Sequence, residues 1–305
     1  MRKENPCARR KLALGNALIA HTGCEVNAMQ GTLRLTGRYY RTIPTDQPGY
    51  VEEPLDLPAG ETAFVSLHCW NIGCPGGPAT DRNFWVGMGF PQTCDEEYRI
   101  MKEHIRPCLD AARGAGIAVF HVQAELIARR YPEWYAVEEN ISASALARQS
   151  AAERDGEPAP CEAPLSPIPG YTQKIIARSH GEGYANSPPY AEMDFPEITA
   201  ALPGEPIVHQ SGQFDRLLRK RGLVNLIYAG FAADMCILNA PGGMGPMFGL
   251  GYRVVLIRDA TLGVELVDTF DERIATRWGI SFVETHWGDT ITTQDFMSNC
   301  SRLAG

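Results

Sequence analysis

The sequence predicts an α/β protein, a three-layer α/β/α sandwich with a doubly wound, mostly parallel six-stranded sheet. Three observations lead to this fold class. Short apolar runs alternate with amphipathic stretches, from residue 62 to about 124 and again from residue 206 onward. The runs are continuously apolar, which is typical of parallel strands buried on both faces. Helix-length segments separate them, as crossovers between parallel strands require.

The predicted elements follow in chain order. Strands are predicted at 62–68, 117–122, 206–210, 224–230, 252–257 and 280–284. Helices are predicted at 95–114, 214–221, 235–250, 265–279 and 292–303, the third of them interrupted by Pro241 and two glycines. Right-handed crossovers place the carboxyl ends of all these strands on one edge of the sheet, where open α/β sheets carry their sites.

Length and composition exclude several classes of protein. The chain has 305 residues, 44% of them hydrophobic and 21% charged, which fits a folded domain and excludes fibrous or disordered chains. A net charge of −8 argues against a nucleic-acid partner, and no apolar run approaches the roughly 18 residues of a membrane span. Nine scattered cysteines without a CxxC pair indicate reduced thiols and a cytoplasmic location. We expect a small-molecule substrate and no cofactor.

The chain divides into three parts. Residues 1–28 form a flexible segment that is either signal-like, because Arg9-Arg10-Lys11 precedes a short apolar stretch, or an over-called start ahead of Met29. Residues 29–61 are an N-terminal extension of two extended pieces joined by a proline-rich turn. Residues 62–305 form the main domain, whose proline-rich segment at about 124–205 is predicted to be an insertion that acts as a lid or an oligomer arm.

Cys236 is the sharpest chemical feature on the predicted edge. It follows the turn Gly230-Phe-Ala-Ala-Asp-Met235 and starts a helix. The positive end of a helix dipole is expected to lower the pKa of a cysteine at that place. Free backbone N–H groups there can form an oxyanion hole, which together with a thiolate gives acyl-transfer chemistry. A buried cysteine that only packs beneath the sheet is the alternative.

Four segments carry a resemblance to a known family. These segments resemble parts of the isochorismatase-like cysteine hydrolases. The first strand of that family resembles residues 63–71, and its nucleophile turn resembles residues 226–237. Its following strand with the Asp-Ala turn resembles residues 252–261, and its closing segment resembles residues 288–296. The resemblance covers roughly 62–125 and 206–298. It implies an Asp–Lys–Cys triad, a non-proline cis peptide before the cysteine, hydrolysis of a small-molecule amide-type C–N bond, and a homo-oligomer.

The sequence departs from that family at two of the three triad positions. His68 stands where the family has aspartate, and His209 or Gln210 stands where it has lysine. We therefore predict hydrolysis through a Cys236 thioester with His68 as a non-standard base, since an imidazole with a pKa near 6.5 suits proton transfer. His209 or Gln210 would orient the substrate. The predicted oxyanion-hole and substrate residues are Ala232, Met235, Asn71, Trp70, Phe214 and His121.

Two other interpretations compete with hydrolysis. One is a catalytically degenerate family member that binds a small molecule or performs non-hydrolytic proton transfer. The other is a metal site formed by His68, His121, His180 and Cys69, since imidazole and thiolate are zinc ligands. The nicotinamidase branch of the family carries a metal through an Asp-x-His pattern that this sequence lacks, so we predict no metal.

Overall fold

The computed structural model describes residues 31–80, 90–134, 168–181 and 191–305. Its centre is one eight-stranded sheet in the order β2-β1-β8-β7-β6-β3-β4-β5. The strands are β1 (Thr32–Arg41), β2 (Gly49–Pro58), β3 (Thr62–Leu67), β4 (Ala118–Val122), β5 (Ile207–Val208), β6 (Asn225–Phe231), β7 (Arg253–Leu262) and β8 (Asp289–Ile291). Helices cover both faces, which confirms the α/β class.

The six strands from β3 to β8 run parallel and form the part of the sheet that carries the site. β3 lies between β4 and β6, with Leu67 opposite Val122 on one side and Gly230 on the other. Every residue of β3 and β6 is buried. Burial on both faces explains why these segments are continuously apolar in the sequence.

The N-terminal extension adds two more strands to the six parallel ones. β1 and β2 form an antiparallel hairpin paired from Thr32–Pro58 to Arg41–Gly49. β1 also pairs antiparallel with β8 through Arg38 and Thr290, so the hairpin continues the main sheet. Alternate residues of β1 point inward, and Leu33 and Leu35 are buried in the same hydrophobic cluster as the centre of the domain.

Nine helices are present within the described residues. They are α1 (Pro91–Ile100), α2 (Arg106–Gly114), α3 (Glu125–Ala128), α4 (Tyr171–His180), α5 (Ser211–Arg221), α6 (Cys236–Asn239), α7 (Met244–Gly249), α8 (Ile274–His286) and α9 (Thr293–Ala304). A π-helical turn, Met101–Ile105, joins α1 to α2 into the helix predicted at 95–114. Pro107 follows that turn and has no N–H to donate to the preceding turn, which accounts for the irregularity. None of these helices is both long and apolar enough to cross a bilayer.

The predicted strand at 280–284 is wrong, because this segment belongs to α8. The run Ile280–Glu284 is too short for its period to distinguish a strand from a buried helix turn. In the structure, residues at helical spacing face the sheet, namely Thr276, Gly279, Val283 and Glu284. Phe282 stacks on His286 one turn later, with ring centroids 4.3 Å apart. The last strand is β8, which pairs parallel with β7.

Part of the segment at 124–205 packs against the far edge of the sheet. Met193 and Phe195 are buried with Ile127, Trp134 and the edge-strand residue Ile207. This small cluster is separate from the two large clusters on the faces of the sheet. Much of the predicted insertion, residues 135–167 and 182–190, and the N-terminal residues 1–28 lie outside the described residues.

Candidate active site

A tight turn after β6 positions Cys236. The strand ends at Phe231, the peptide bond between Phe231 and Ala232 is cis, and Cys236 is the first residue of α6. The carbonyl oxygen of Ala232 accepts hydrogen bonds from the N–H groups of Met235 (3.1 Å) and Ile237 (3.0 Å). The resemblance implied this cis peptide, and the structure contains it.

Two backbone N–H groups of this turn have no oxygen acceptor among the described residues. Within the described residues, the N–H groups of Ala232 and Cys236 meet no oxygen acceptor, whereas that of Ala233 donates to Leu262 at 2.8 Å. A hydrogen bond from the backbone of Ala232 to the sulfur of Cys236 lowers the pKa of that thiol. Open N–H groups beside a nucleophile are the donors that stabilise a developing oxyanion. The N–H groups of Ala232 and Cys236 are therefore candidate donors for the predicted oxyanion hole, whereas the N–H of Met235 already donates to Ala232.

The Cys236 thiol is partly buried, and its pKa is raised rather than lowered. Burial is the largest cause, the Ala232 backbone opposes it, and the carboxyl groups of Asp234 and Glu97 raise the pKa further. Burial therefore works against the lowered pKa that is expected at the helix start. α6 has only four residues, so its dipole is small beside the cost of removing a charged sulfur from water.

His68 directly follows β3, the strand next to β6. Its backbone lies in the left-handed region with φ of 49°, which is uncommon for a residue with a side chain. Its ring stacks on Trp70 with centroids 5.1 Å apart, and Nδ1 is buried with no hydrogen-bond partner among the described residues. Burial lowers the pKa of His68 to about 4. The imidazole is therefore neutral near pH 7, and the lowered pKa makes it a weaker base than the value near 6.5 on which its predicted role depends.

Gly230 brings the ends of β3 and β6 unusually close together. A Cβ at this position would lie 1.9 Å from the carbonyl oxygen of Leu67, and its φ is +128°. Only glycine satisfies both conditions. Because Leu67 precedes His68 and Gly230 begins the nucleophile turn, the close approach places the two predicted reactive segments side by side.

The loop between β7 and α8 supports the nucleophile turn from the other side. The Asp234 carboxylate accepts the N–H of Val264 at 2.8 Å, and burial raises the pKa of Asp234. The Glu265 carboxylate accepts the N–H of Thr276 at 2.8 Å at the start of α8. A Cβ at Gly279 would lie 2.4 Å from the carbonyl oxygen of Ala233, so α8 packs directly against the turn.

Trp70 and Asn71 organise the loop after β3. The Trp70 indole donates to Gln123 at 3.1 Å, which holds the ring over His68. The Asn71 side chain accepts the N–H of Asp194 at 2.8 Å and ties this loop to the insertion. Trp70 thus lies beside the predicted base, while the Asn71 side chain has a structural partner. Met235, next to Cys236, is 47% exposed.

His121 and Phe214 have partners of their own in the interior of the domain. His121 is within β4 rather than beyond its end, and its Nε2 is 2.8 Å from the Glu205 carboxylate. Burial alone would raise the pKa of Glu205, but hydrogen bonds with His121 and Arg113 lower it to about 2. Phe214 is fully buried and packs on Phe120, with ring centroids 5.2 Å apart.

The two candidates for the lysine position follow β5, the edge strand. β4 separates β5 from β3. His209 accepts a hydrogen bond from the Trp134 indole at 2.8 Å, and its Nε2 is 3.7 Å from Glu125. Gln210 is exposed and lies just before α5. Both residues follow the end of β5, and the side-chain partners of His209 are Trp134 and Glu125, from the segment at 124–205.

Among the residues that the structure describes, no three His, Cys, Asp or Glu side chains converge as metal ligands. The structure instead reveals a residue that the sequence analysis missed. Glu97, on α1, is only 3% exposed, and burial raises its pKa well above the ordinary value. The sequence could have indicated this burial, because Glu97 lies three residues after Cys94 and three before Ile100. All three residues are on the buried face of α1.

No protein-family model and no curated protein matches the chain. Several solved structures do. A cysteine hydrolase from Pseudomonas syringae pv. phaseolicola 1448A is 13% identical, with a TM-score of 0.47, and the match covers 81% of this chain and 95% of that one. An isochorismatase family protein from Desulfovibrio vulgaris subsp. vulgaris str. Hildenborough is 17% identical, with a TM-score of 0.41, over 77% of this chain and 95% of that one. An isochorismatase family protein from Burkholderia thailandensis is 15% identical, with a TM-score of 0.40, over 79% of this chain and 96% of that one. At this identity the likeness concerns the course of the chain, so the chemistry must be argued from the residues themselves.

Proposed function

We propose that this protein is a cysteine hydrolase of the isochorismatase-like type, which cleaves a small-molecule amide-type C–N bond through a Cys236 thioester. The observation that carries the proposal is the position of Cys236, at the first residue of α6, beside the N–H groups of Ala232 and Cys236, which have no oxygen acceptor among the described residues. A nucleophile and an oxyanion hole in one turn are the two parts that acyl transfer requires. We also propose a cytoplasmic location and a homo-oligomer.

In the proposed reaction, the neutral His68 imidazole accepts the thiol proton as the Cys236 sulfur attacks the carbonyl carbon. The two open N–H groups hold the oxygen of the tetrahedral intermediate. The C–N bond then breaks as His68 gives its proton to the leaving nitrogen, and a thioester remains. Water attacks the thioester carbonyl and gives a proton to His68, which passes it to the departing thiolate. Trp70 would form one wall of the substrate site.

A degenerate protein that binds its ligand without hydrolysis is the second candidate. One observation favours it: burial leaves both Cys236 and His68 uncharged near neutral pH, so no preformed thiolate–imidazolium pair exists. A nucleophile in such a site is reactive only if the bound substrate promotes the proton transfer.

Acylation of Cys236 separates the two candidates. We expect p-nitrophenyl acetate to add one acetyl group to the wild-type protein, located at Cys236 by intact mass and peptide mapping. The adduct should be absent in Cys236→Ala and present in Cys300→Ala, a control at a buried cysteine on α9. His68→Asn should slow acylation by roughly 100-fold or more, because a general base is lost, while asparagine still tolerates the left-handed backbone. An adduct that persists in Cys236→Ala would overturn the proposal.

A further inference from the structure

A cleft lies between the N-terminal hairpin, β7 and α9. β1 pairs with β8 only through Arg38 and Thr290. Two residues earlier in β1, the N–H of Thr36 donates instead to the Asp295 carboxylate of α9, at 2.7 Å. The space beside this junction, the hairpin cleft, has a volume of about 420 Å³, which is within the range of small-molecule sites. The residues that line it include Thr36, Glu52, Arg258, Gln294, Ser298 and Arg302.

Two arginines enter the hairpin cleft from its two ends. One wall is a single face of α9, because Gln294, Ser298 and Arg302 follow one another at intervals of four residues. Arg302 is in the last turn of this helix. Arg258 comes from β7 and contacts Thr290, which lies just before α9 begins. A helix rises about 1.5 Å per residue, so the two ends of this wall are roughly 15 Å apart.

Neither guanidinium is paired with a carboxylate among the described residues. Arg258 is half-buried and hydrogen-bonds only to Thr290, at 3.3 Å and 3.4 Å. The buried Glu284 carboxylate pairs with Arg38 instead, at 2.8 Å. Burial lowers the pKa of Arg258, and the nearby Arg38 lowers it further. Arg302 is exposed. A half-buried cation without an anionic partner is costly, and an anion bound in the cleft would offset that cost.

Two carboxylates also reach the cleft, and they differ in their partners. Asp295 accepts the N–H of Thr36 at 2.7 Å and the side-chain amide of Asn299 at 3.1 Å, so both of its oxygens are engaged. Glu52 is exposed on the hairpin and forms no ion pair among the described residues. Its charge would repel an anion and attract a cation, so Glu52 reports the sign of whatever binds beside it.

We infer that the hairpin cleft binds a small organic anion with two or more oxyanion groups, carboxylates or phosphates. Arg258 receives one group and Arg302 another, since a guanidinium presents paired N–H donors that match both kinds of oxyanion. The Gln294 amide donates to the Ser298 hydroxyl at 3.0 Å, which leaves the O–H of Ser298 free to donate to the ligand. The cleft shares no residue with the candidate site at Cys236, so the inference does not depend on the proposed function.

Calorimetric titration of the full chain tests the inference. The probes are citrate, pyrophosphate and, as a single-group comparison, acetate, all at one ionic strength because salt screens exposed charges. We expect citrate or pyrophosphate to bind at least roughly tenfold more tightly than acetate. Arg258→Gln should weaken that binding at least roughly tenfold, since a charged hydrogen-bond donor is lost. Arg302→Gln should weaken it at least about threefold, because its group is exposed. Arg277→Gln, at an exposed arginine of α8 outside the cleft, should leave it unchanged.

The results decide the inference in each case. Tighter binding of citrate identifies a carboxylate ligand and tighter binding of pyrophosphate a phosphate ligand, and either supports the site if both arginines matter. Glu52→Gln should strengthen the binding, because a repelling charge is removed; weaker binding would show a ligand that carries a cation and overturn the anion. Neither probe binding better than acetate would also overturn it. If Arg258→Gln does not fold, the exposed Arg302→Gln decides, and an unchanged affinity there overturns the site.

Discussion

At the scale of single residues, Cys236 and His68 are uncharged for the same physical reason. Removal from water disfavours the charged form of any group, so burial raises the pKa of the thiol and lowers that of the imidazole. Such a pair differs from a thiolate held by an imidazolium. The proton transfer must accompany substrate binding, which protects the nucleophile from side reactions in the absence of a substrate.

The pH dependence of alkylation checks this neutral state. A raised pKa means that the thiolate fraction of Cys236 is smaller than that of an ordinary thiol at every pH below about 8.5. We expect the rate of reaction with iodoacetamide to keep rising through pH 8.5, with no plateau at lower pH. The rate is measured by intact mass, and Cys236→Ala gives the background from other thiols. A plateau below pH 7 would show a preformed thiolate and contradict the pKa shifts.

At the scale of elements, the site depends on the contact between β3 and β6. These strands hold the two reactive segments because Gly230 lets the backbones meet where any side chain would collide. The pattern of buried residues explains why the strands form, but the glycine explains why their ends lie close enough for the turn and His68 to share one site.

Gly230→Ala should therefore destabilise the protein strongly. The added Cβ meets the carbonyl oxygen of Leu67 at 1.9 Å, and the φ of +128° is one that alanine rarely adopts. We expect the free energy of unfolding, measured by urea denaturation, to fall by roughly 3 kcal/mol or more. Gly249→Ala is the control, because a Cβ there meets nothing within 4 Å. A Gly230→Ala protein of wild-type stability would show that the close approach is absent.

At the scale of the whole molecule, the N-terminal hairpin completes the sheet. The backbone of β1 donates to Asn299 and Asp295 on α9, at 3.0 Å and 2.7 Å, and Arg38 pairs with the buried Glu284 of α8 at 2.8 Å. The hairpin thus connects to both C-terminal helices, one of which supports the nucleophile turn. Residues remote from Cys236 in the sequence contribute to the stability of the same sheet.

A substitution at Leu33 tests whether the hairpin unfolds together with the rest of the domain. Its side chain is fully buried in the main hydrophobic cluster. We expect Leu33→Ala to lower the free energy of unfolding of the whole domain by about 2–5 kcal/mol, in a single cooperative transition followed by circular dichroism. Thr32→Ala, at the exposed neighbouring position, should change it by less than about 0.5 kcal/mol. A separate transition for the hairpin, with the rest unaffected, would contradict joint unfolding.

The sequence by itself determined the fold class, the parallel strands and the turn that holds Cys236, because burial on two faces and glycine-rich turns leave local patterns along the chain. It failed at 280–284, where a short apolar run fits a helix as well as a strand. Tertiary structure alone decided the protonation states of Cys236 and His68, the place of the hairpin in the sheet, and the burial of Glu97 within an acidic stretch that looks solvated. These properties depend on how much water and charge surround a group after folding, and that is set by residues distant in the chain.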